Sequence, residues 1–293
     1  MLDLNIIIVN YNSKEFLKEC ISSIVKNVIG ISYETIIVDN ASTDGSSEEI
    51  QNNNSKFKII INKENVGFSK ANNQGIKASA DSRYVLFLNP DTVVQKGTIE
   101  EMIKFMDSNK DAGASTCKLI MPNGKIDDAS HRGFPTPWNS FSHFTGLARI
   151  FPKSRIFAGY SLGWKSLSKI HEIDVLAGAF MLVRRKAGEE AGWWDEDYFF
   201  YGEDIDFCYQ LKQKKWKIYY VPTVFIKHYK GVSGGIKSIS KEITTASKET
   251  KKRATLWRFK AMRIFYKKHY EKQYPWIINF LVDKGIMLRE KIA

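Results

Sequence analysis

Asp91 follows a run of apolar residues that is typical of a buried strand, and its position suggests metal chemistry. It closes Asn89-Pro90-Asp91, directly after the run at 84–88. A hard divalent cation held by one or two carboxylates is the usual means of neutralising a diphosphate. Asp91 is therefore the leading candidate for a metal ligand, and Asn89 is a candidate ligand-binding residue beside it. Asn-Pro-Asp is also good turn chemistry, and the tripeptide alone does not separate the two interpretations.

Asp39 occupies the same kind of position, at the end of the run at 34–38. The loop after it is rich in Asn, Ser, Thr and Gly. A carboxylate here can accept the imide N–H of uracil or thymine, and the loop can bind ribose and phosphate through backbone N–H groups. The alternative is a helix cap, but Asp44 or Ser46 could cap the next helix instead. We therefore expect Asp39 to be free for a ligand.

Glu203 and Asp204 follow a run of four aromatic residues, 198–201, and a glycine. Such surroundings would partly desolvate a carboxylate and raise its pKa toward the range that suits a general base. On this argument either carboxylate could serve. The alternative is that both are acidic residues at the start of a helix beginning near Ile205.

His228 comes shortly after the strand-like run at 223–226 and could complete a metal site or contact a diphosphate, with Lys227 and Lys230 nearby. A single histidine is more often structural. The sequence contains no G-x-S-x-G elbow, Walker loop or H-E-x-x-H helix, and no G-x-G-x-x-G follows the first strand. The sequence thus lacks the motifs that would indicate a serine hydrolase, a P-loop ATPase or a nicotinamide dehydrogenase.

The elements that must position these residues alternate between strands and helices. Runs nearly continuous in apolar residues predict strands at 4–9, 34–38, 57–61 and 84–88. Amphipathic stretches predict helices at 13–28, 46–53 and 69–80. This rhythm predicts an α/β fold with an open, mostly parallel sheet and helices on both faces. Ligands bind outside the C-terminal ends of such strands, so Asn10 and Asn12 after the first strand are further candidates.

The second half of the chain is less regular. The stretch 111–173 contains four prolines and several aromatic residues, which suggests long loops over the sheet edge that could carry structure specific for an acceptor. A strand at 175–184, a helix at about 205–214 and a strand at 216–221 are predicted to close the domain. The sequence thus predicts a catalytic domain over 1–235 and an extension over 236–293.

Charge is distributed unevenly along the 293 residues. The net charge is +12, and residues from Lys237 onward contribute +10 of it, from 15 Lys/Arg against 5 Asp/Glu. The three cysteines form no C-x-x-C pair, so a reducing, cytoplasmic setting fits best. No secretory signal is visible and no apolar run reaches about 18 residues. We expect a soluble protein, or one bound peripherally at the inner face of the cell membrane.

The basic extension has the period of an amphipathic helix over 247–270, and a short apolar patch follows at 276–282. Trp257, Ala261, Ile264 and Phe265 recur at helical spacing. Such a helix could lie in a membrane interface, pack back on the domain or form a homodimer interface, and the sequence leaves these alternatives open. Nucleic acid as a partner would depend on the extension alone, and we expect none.

Taken together, six segments resemble glycosyltransferase family two, a large family of inverting enzymes with the GT-A fold. The segments follow the family's order and cover about residues 4–235. They are IIIVNYN at 6–12, VDNASTDGS at 38–46, NVGFSKANNQG at 65–75, FLNPD at 87–91, GAFMLVRR at 178–185 and FFYGEDIDF at 199–207. The resemblance implies transfer of a sugar from a nucleotide-diphosphate donor, with Mg²⁺ or Mn²⁺ as cofactor.

The resemblance also implies roles for single residues. Asp39 matches the nucleobase-binding aspartate and Asp91 the metal-binding aspartate. Asp204 stands where the family keeps its catalytic base, with Glu203 beside it. His228 resembles a histidine that joins the metal in some relatives. Three residues fall in the segment near the donor: Asn65, Gly67 and Asn72.

One departure from the family pattern points to a donor. Many members carry Asp-x-Asp where this chain has Asn89-Pro90-Asp91, and members with Asn-Pro-Asp resemble rhamnosyltransferases that use dTDP-L-rhamnose. That is the expected donor, with a cell-surface polysaccharide or a lipid-linked glycan as acceptor. The alternatives are a UDP-sugar donor carrying galactose, glucose or N-acetylglucosamine, and a protein that binds nucleotide sugars or glycans without catalysis.

Overall fold

A computed structural model of the protein describes residues 1–48, 57–232, 235 and 244–293. In these residues nine strands form one sheet, in the order β3-β2-β1-β4-β8-β6-β9-β5, with β7 paired to β9. The strands are β1 Leu2–Asn10, β2 Tyr33–Asp39, β3 Phe57–Ile61, β4 Ser82–Leu88, β5 Thr92–Val94, β6 Ala112–Ile120, β7 His171–Ile173, β8 Phe180–Arg184 and β9 Lys217–His228. Six of them, β1 to β4, β6 and β9, share one direction, which confirms a mostly parallel sheet.

Helices cover both faces of this sheet, as the sequence predicts. In chain order they are α1 Lys14–Asn27, α2 Phe68–Ala78, α3 Thr98–Ser108, α4 Pro137–Phe144, α5 Leu147–Ile150, α6 Arg185–Ala191, α7 Glu203–Gln213, α8 Lys248–His269 and α9 Trp276–Ile292. Leu17 and Ile24 of α1 and Met102 of α3 are buried against one face. Ala71 of α2 and Phe207 of α7 are buried against the other. The predicted helix at 46–53 is helical at 46–48, and the rest of it lies outside the described residues.

The order of the first four strands creates the edge at which ligands are expected. From β1 the chain moves to β2 and then β3 on one side, and it returns to β4 on the other side of β1. Such a reversal opens a crevice beyond the C-terminal ends of the two strands that flank it. Asn10 at the end of β1 and Asn89 just after β4 therefore border the crevice.

The region 111–173 contains a strand that the sequence pattern did not reveal. β6 lies between β8 and β9 in the middle of the sheet. Its first six residues, 112–117, are small, and a Cβ added to Gly113 would lie 2.5 Å from the Trp216 side chain. Close approach of this kind requires small residues, which removes the β-branched pattern by which strands are recognised. The expectation of loops throughout this region was therefore wrong.

The C-terminal helices differ in how they contact the rest of the chain. α8 packs back on it, with Ala261 and Phe265 buried beside Tyr198. α9 has no buried residue. No described helix is long and apolar enough to cross a membrane. The predicted domain boundary at 235/236 falls where residues 236–243 lie outside the described residues, so that division stays a prediction.

Candidate functional site

A pocket opens at the C-terminal edge of the sheet. Val9 and Tyr11 line it beside the end of β1, together with residues of the segments 65–68, 89–91 and 199–200, one face of α8, and Asn40, Gly231 and Val232. Of the predicted site residues, those that line it are Asn65, Gly67, Asn89 and Asp91. The C-terminal ends of β1 and β4 thus meet loops that lie far apart in the sequence, as expected of a switch point.

Asn10 and Asp39 lie below the pocket rather than in its lining. Both are fully buried. Asn10 donates from Nδ2 to Asp39 Oδ2 at 2.8 Å, and Asp39 Oδ1 accepts from the backbone N–H of Ser42 at 2.9 Å. Both carboxylate oxygens of Asp39 therefore already have protein donors, which differs from the free carboxylate expected from sequence. Its role in nucleobase binding stays a prediction, since a carboxylate oxygen can accept a second hydrogen bond.

Asn12 has a structural position that follows from its backbone. Its φ is +50°, a left-handed conformation that asparagine tolerates better than most residues. Its Oδ1 accepts from the backbone N–H of Thr43 at 2.7 Å, while its own N–H donates to Ser42 Oγ. Asn12 thus ties the end of β1 to the loop after β2, and we find it outside the pocket lining.

Asn40 connects this loop to the segment at 65–68. It donates to Asn65 Oδ1 at 2.9 Å and accepts from the backbone N–H of Val66 at 3.0 Å. Gly67 has a φ of +90°, and a Cβ there would lie 2.8 Å from Phe199. Only glycine satisfies both conditions, so the backbone of 65–68 can approach the aromatic segment closely. Asn72 is buried below, where it donates to the Phe68 carbonyl.

Asp91 and His228 meet on neighbouring strands. β5 pairs with β9 so that Thr92 faces His228, which brings Nε2 of His228 to 3.4 Å from Asp91 Oδ1. Asp127 lies on the other side of the imidazole, with Oδ2 at 2.9 Å from Nδ1. All three side chains are buried, and within the described residues Nε2 has no hydrogen-bond partner.

This arrangement fits a divalent metal ion. When Nδ1–H of His228 donates to Asp127, Nε2 carries a lone pair directed toward the space beside Asp91. A carboxylate behind a ligating histidine is the usual support of such a ligand. No cluster of three or more acidic, His or Cys side chains with metal-binding geometry occurs in the described part of the chain. The protein thus offers two ligands, and phosphate and water oxygens would have to supply the others.

The charges around His228 shift the pKa of the imidazole and that of Asp127. Burial lowers the pKa of His228, but Asp91 and Asp127 outweigh it and raise that pKa to about 9. Burial would raise the pKa of Asp127, yet His228 and Lys230 hold it well below its usual range. Without a metal the imidazole is therefore protonated at neutral pH, and a bound metal would displace that proton.

Glu203 and Asp204 form the first residues of α7, after Gly202 with a φ of +83°. Both thus lie in the first turn of a helix, as the alternative expected, and Asp204 Oδ1 accepts from the Ile205 backbone N–H at 2.8 Å. Asp204 Oδ2 accepts from the Arg132 guanidinium at 2.6 Å, and the side chains of this pair are 16% and 13% exposed. Burial and the neighbouring Asp204 charge raise the pKa of Glu203 to about 8. Glu203 is therefore protonated at neutral pH, while Asp204 forms the ion pair with Arg132.

Several residues of the site were not predicted from the sequence. Asp127 and Arg132 lie in the region 111–173, where no pattern distinguished them. Arg253 and Trp257 belong to α8, for which the sequence had suggested a membrane contact, packing on the domain or a dimer interface, but no part in the pocket. Asn40 could have been found, because it directly follows Asp39 in a segment already singled out. The others depend on contacts between residues more than 50 positions apart, 72 in the case of Arg132 and Asp204.

Comparison with known proteins concerns the family and the fold. Glycosyl transferase family 2 matches residues 5–167, more than half of the chain. Rhamnosyltransferase WbbL of Escherichia coli K12 is 31% identical over 152 residues, 51% of this chain and 53% of that protein. N-acetylglucosaminyl-diphospho-decaprenol L-rhamnosyltransferase of Mycobacterium tuberculosis H37Rv is 26% identical over 210 residues, 68% of this chain and 67% of that protein. The chain thus spans about half of the first of these two relatives and two thirds of the second.

A solved structure supports the fold. GalNAc-T7, in a crystal structure with UDP, GalNAc and Mn²⁺, superposes with a TM-score of 0.56 at 15% identity over 78% of this chain and 44% of that one. At this identity the likeness concerns the fold alone, and that fold is GT-A. The chain therefore belongs to glycosyl transferase family 2.

Proposed function

We propose that this glycosyltransferase transfers a sugar from a nucleoside diphosphate donor, with inversion of the configuration at the anomeric carbon. The observation that carries the proposal is the pair Asp91 and His228 at the edge of the pocket, where the buried Nε2 lies 3.4 Å from Asp91 Oδ1 and forms no hydrogen bond within the described residues. A cation site beside a pocket of this kind suits a diphosphate leaving group. The segments around Asn40, Asn65 and Gly67 would then receive the nucleoside end of the donor.

Asp204 acts as the general base in this proposal. Displacement with inversion requires that the acceptor hydroxyl lose its proton while its oxygen attacks the anomeric carbon and the bond to the diphosphate breaks. Burial raises the pKa of Glu203 to about 8, so Glu203 holds a proton at neutral pH and cannot accept another, whereas Asp204 pairs with the Arg132 guanidinium. Arg132 keeps the carboxylate oriented, and the proton passes to an Asp204 oxygen.

Asp91 and His228 would hold Mg²⁺ or Mn²⁺, with Asp127 orienting the imidazole. The bound ion would neutralise charge that develops on the diphosphate as it leaves. Because Asn89 replaces a second carboxylate, the donor itself must contribute much of the coordination. Metal affinity in the absence of a nucleoside diphosphate is therefore expected to be low.

The donor we favour is dTDP-L-rhamnose. Two features support it: the Asn89-Pro90-Asp91 sequence, and the names of the relatives, which are rhamnosyltransferases in Escherichia coli and Mycobacterium tuberculosis. A UDP-sugar is the second candidate, since the GalNAc-T7 structure contains UDP. As acceptor we propose a hydroxyl of a cell-surface polysaccharide or of a lipid-linked glycan, as in the mycobacterial relative, whose name describes a decaprenol-linked sugar.

A thermal-shift panel of the purified protein tests the donor site. The ligands are dTDP-L-rhamnose, UDP-glucose, UDP-galactose, UDP-N-acetylglucosamine and GDP-mannose, each with MgCl₂, with MnCl₂ and with EDTA. A ligand present at 100 times its Kd adds about 2.7 kcal/mol to the free energy of unfolding. Stabilisation by one donor that EDTA abolishes supports the proposal. If no nucleotide sugar raises the melting temperature under any condition, the proposed donor site is wrong.

Donor consumption distinguishes an enzyme from a protein that only binds nucleotide sugars. The stabilising donor is incubated with the protein, MgCl₂ and a lipid-linked N-acetylglucosamine acceptor, and release of nucleoside diphosphate is followed. Release that requires the acceptor supports transfer. Binding without any release, with polysaccharide or lipid-linked acceptors, would favour the non-catalytic alternative.

A further inference from the structure

The pocket at the sheet edge has one wall that comes from outside the six family-like segments. Thr250, Arg253, Ala254 and Trp257, on the first turns of α8, line it together with Asp91. These residues repeat at helical spacing, so one face of α8 forms the wall. The basic extension therefore reaches the candidate donor site, a position that its sequence did not indicate.

Contacts at both ends hold α8 in this place. Near its start, the Trp257 ring stacks on Phe199 with centroids 4.9 Å apart and an angle of 20° between the planes. Phe199 in turn accepts, through its carbonyl, from the backbone N–H of Phe68 at 2.8 Å. At the other end, Nε2 of His269 lies 2.6 Å from Asp206 Oδ1. The wall is thus tied to the loop at 65–68 and to the catalytic helix α7.

In its middle, α8 contacts the turn that precedes Glu203 and Asp204. A Cβ added to Gly202 would lie 3.0 Å from the Ala261 Cβ. Lys268 forms an ion pair with Asp197 at 2.6 Å, close to the aromatic segment. Both contacts are with the segment 197–202, which precedes Glu203 and Asp204, so α8 packs beside these two carboxyl groups.

The charges in the pocket lining are few. Asp91 and Arg253 are the charged side chains among the residues that line it. The carboxylate of Asp91 already faces the imidazole of His228. The Arg253 guanidinium lies 5.8 Å from the centroid of the Phe199 ring and has no ion-pair partner in the described residues. One cationic group is therefore available where an anionic ligand would need it.

We propose that Arg253 binds the diphosphate of the donor. The inference depends on the function proposed above, and it adds α8 to the donor site. A guanidinium presents parallel N–H donors that match two phosphate oxygens, and it carries charge at every relevant pH. Because Asn89 stands where a second carboxylate would hold the metal more firmly, a protein cation opposite Asp91 supplies positive charge that the metal alone would otherwise have to provide.

Isothermal titration of the full chain with UDP and with dTDP, in the presence of MgCl₂, tests this role. The variants are Arg253→Gln, Arg253→Lys and the control Lys252→Gln. Lys252 is exposed, lies on the same turn of α8 and does not line the pocket. Both glutamine variants lose one positive charge, so a difference between them reports the position of that charge. Uridine and thymidine, which lack phosphate, are measured by ligand-observed NMR.

We expect Arg253→Gln to weaken binding of the nucleoside diphosphate about tenfold. Binding of the nucleoside should not change, Arg253→Lys should recover part of the loss, and Lys252→Gln should match the wild type. The proposal is overturned if Arg253→Gln binds the diphosphate as the wild type does, or if it weakens nucleoside and diphosphate equally. If the wild type binds neither UDP nor dTDP, the proposed function itself fails. Unchanged melting temperatures without ligand establish that the variants are folded.

Discussion

At the scale of single residues, the site contains two adjacent carboxyl groups with different surroundings. Asp204 pairs with Arg132, while Glu203 is buried with one carboxyl oxygen that has no described partner. The sequence could not separate them, because both follow the same aromatic run. Their separation depends on Arg132, which reaches Asp204 from a distant part of the chain. This difference leads to two predictions.

The first prediction concerns Asp204→Asn. We expect kcat to fall by about 10² to 10⁴, because an amide cannot accept the acceptor's proton, while the Kd of the donor changes little. Donor binding by titration and product formation are measured on the same sample, so that binding demonstrates a folded site. Asp81→Asn is a suitable control, since Asp81 is 73% exposed and distant from the pocket. Retained turnover in Asp204→Asn would exclude Asp204 as the base.

The second prediction concerns the pH dependence of stability. Glu203 has a pKa near 8 in the folded protein, above its ordinary value of 4.5. Between these values the folded state holds a proton that the unfolded chain has lost, so the free energy of unfolding decreases as pH rises through that window. The slope is at most about 1.4 kcal/mol per pH unit.

Glu203→Gln should remove this contribution. Chemical unfolding of wild type and variant at pH 5 and pH 8.5 gives the difference between their free energies of unfolding. We expect the variant to gain stability relative to the wild type at the higher pH, because a neutral amide cannot be forced to ionise inside the protein. An equal difference at both pH values would mean that Glu203 titrates normally.

At the scale of elements, the pocket depends on loops that approach one another more closely than a side chain would permit. Gly67 combines a φ of +90° with a space that Phe199 closes at 2.8 Å. Gly113 has a similar role in β6, where it allows Trp216 to pack on the strand. A substitution at Gly67 can therefore distinguish backbone strain from the close contact with Phe199.

Gly67→Ala should lower stability and weaken nucleotide binding together. The added Cβ must displace Phe199, and the left-handed backbone adds about 1–2 kcal/mol of strain. Gly124→Ala is the matched control, because Gly124 has a φ of +76° with no atom within 4 Å of the Cβ position. Melting temperatures and nucleoside diphosphate affinity are compared for both. If the two variants lose equal stability and both retain the affinity, close packing at Gly67 does not shape the pocket.

At the scale of the whole molecule, the C-terminal helices combine two surfaces. α8 packs on the catalytic side of the sheet, whereas α9 exposes large apolar side chains, among them Trp276 at 76% and Phe280 at 53%. Lys284, Arg289 and Lys291 lie on the same helix. Exposed aromatic residues beside basic ones are typical of helices at an anionic membrane interface, where a lipid-linked acceptor would be found. We propose this contact for α9.

Vesicle binding tests the membrane contact. The double variant Trp276→Ser/Phe280→Ser should bind vesicles of anionic phosphatidylglycerol at least tenfold more weakly than the wild type, since each buried aromatic side chain contributes about 1.5–3 kcal/mol. Ile29→Ser is the control, because Ile29 is 61% exposed at another surface. Co-sedimentation gives the binding. If vesicle binding is unchanged and analytical ultracentrifugation shows that the variant loses a dimer, α9 is a homodimer interface instead.

The sequence by itself determined the first four strands of the sheet and the residues at their ends. Asp91 follows β4 and Asp39 ends β2 as predicted, because continuous apolar runs and the turn residues after them are local signals. The same reasoning missed β6, whose small residues carry no such signal. It also predicted a free Asp39, although Asn10 and Ser42 already donate to that carboxylate.

Only the tertiary structure decided which groups surround each functional side chain. Arg132 beside Asp204, Asp127 behind His228 and α8 along the pocket all come from segments that showed no chemical motif of their own. The physical reason is that charge pairing and burial act over a few ångströms in space, whereas a sequence pattern reports neighbours along the chain. The sequence therefore identified the carboxylates, and the packing of distant segments determined the partners of each.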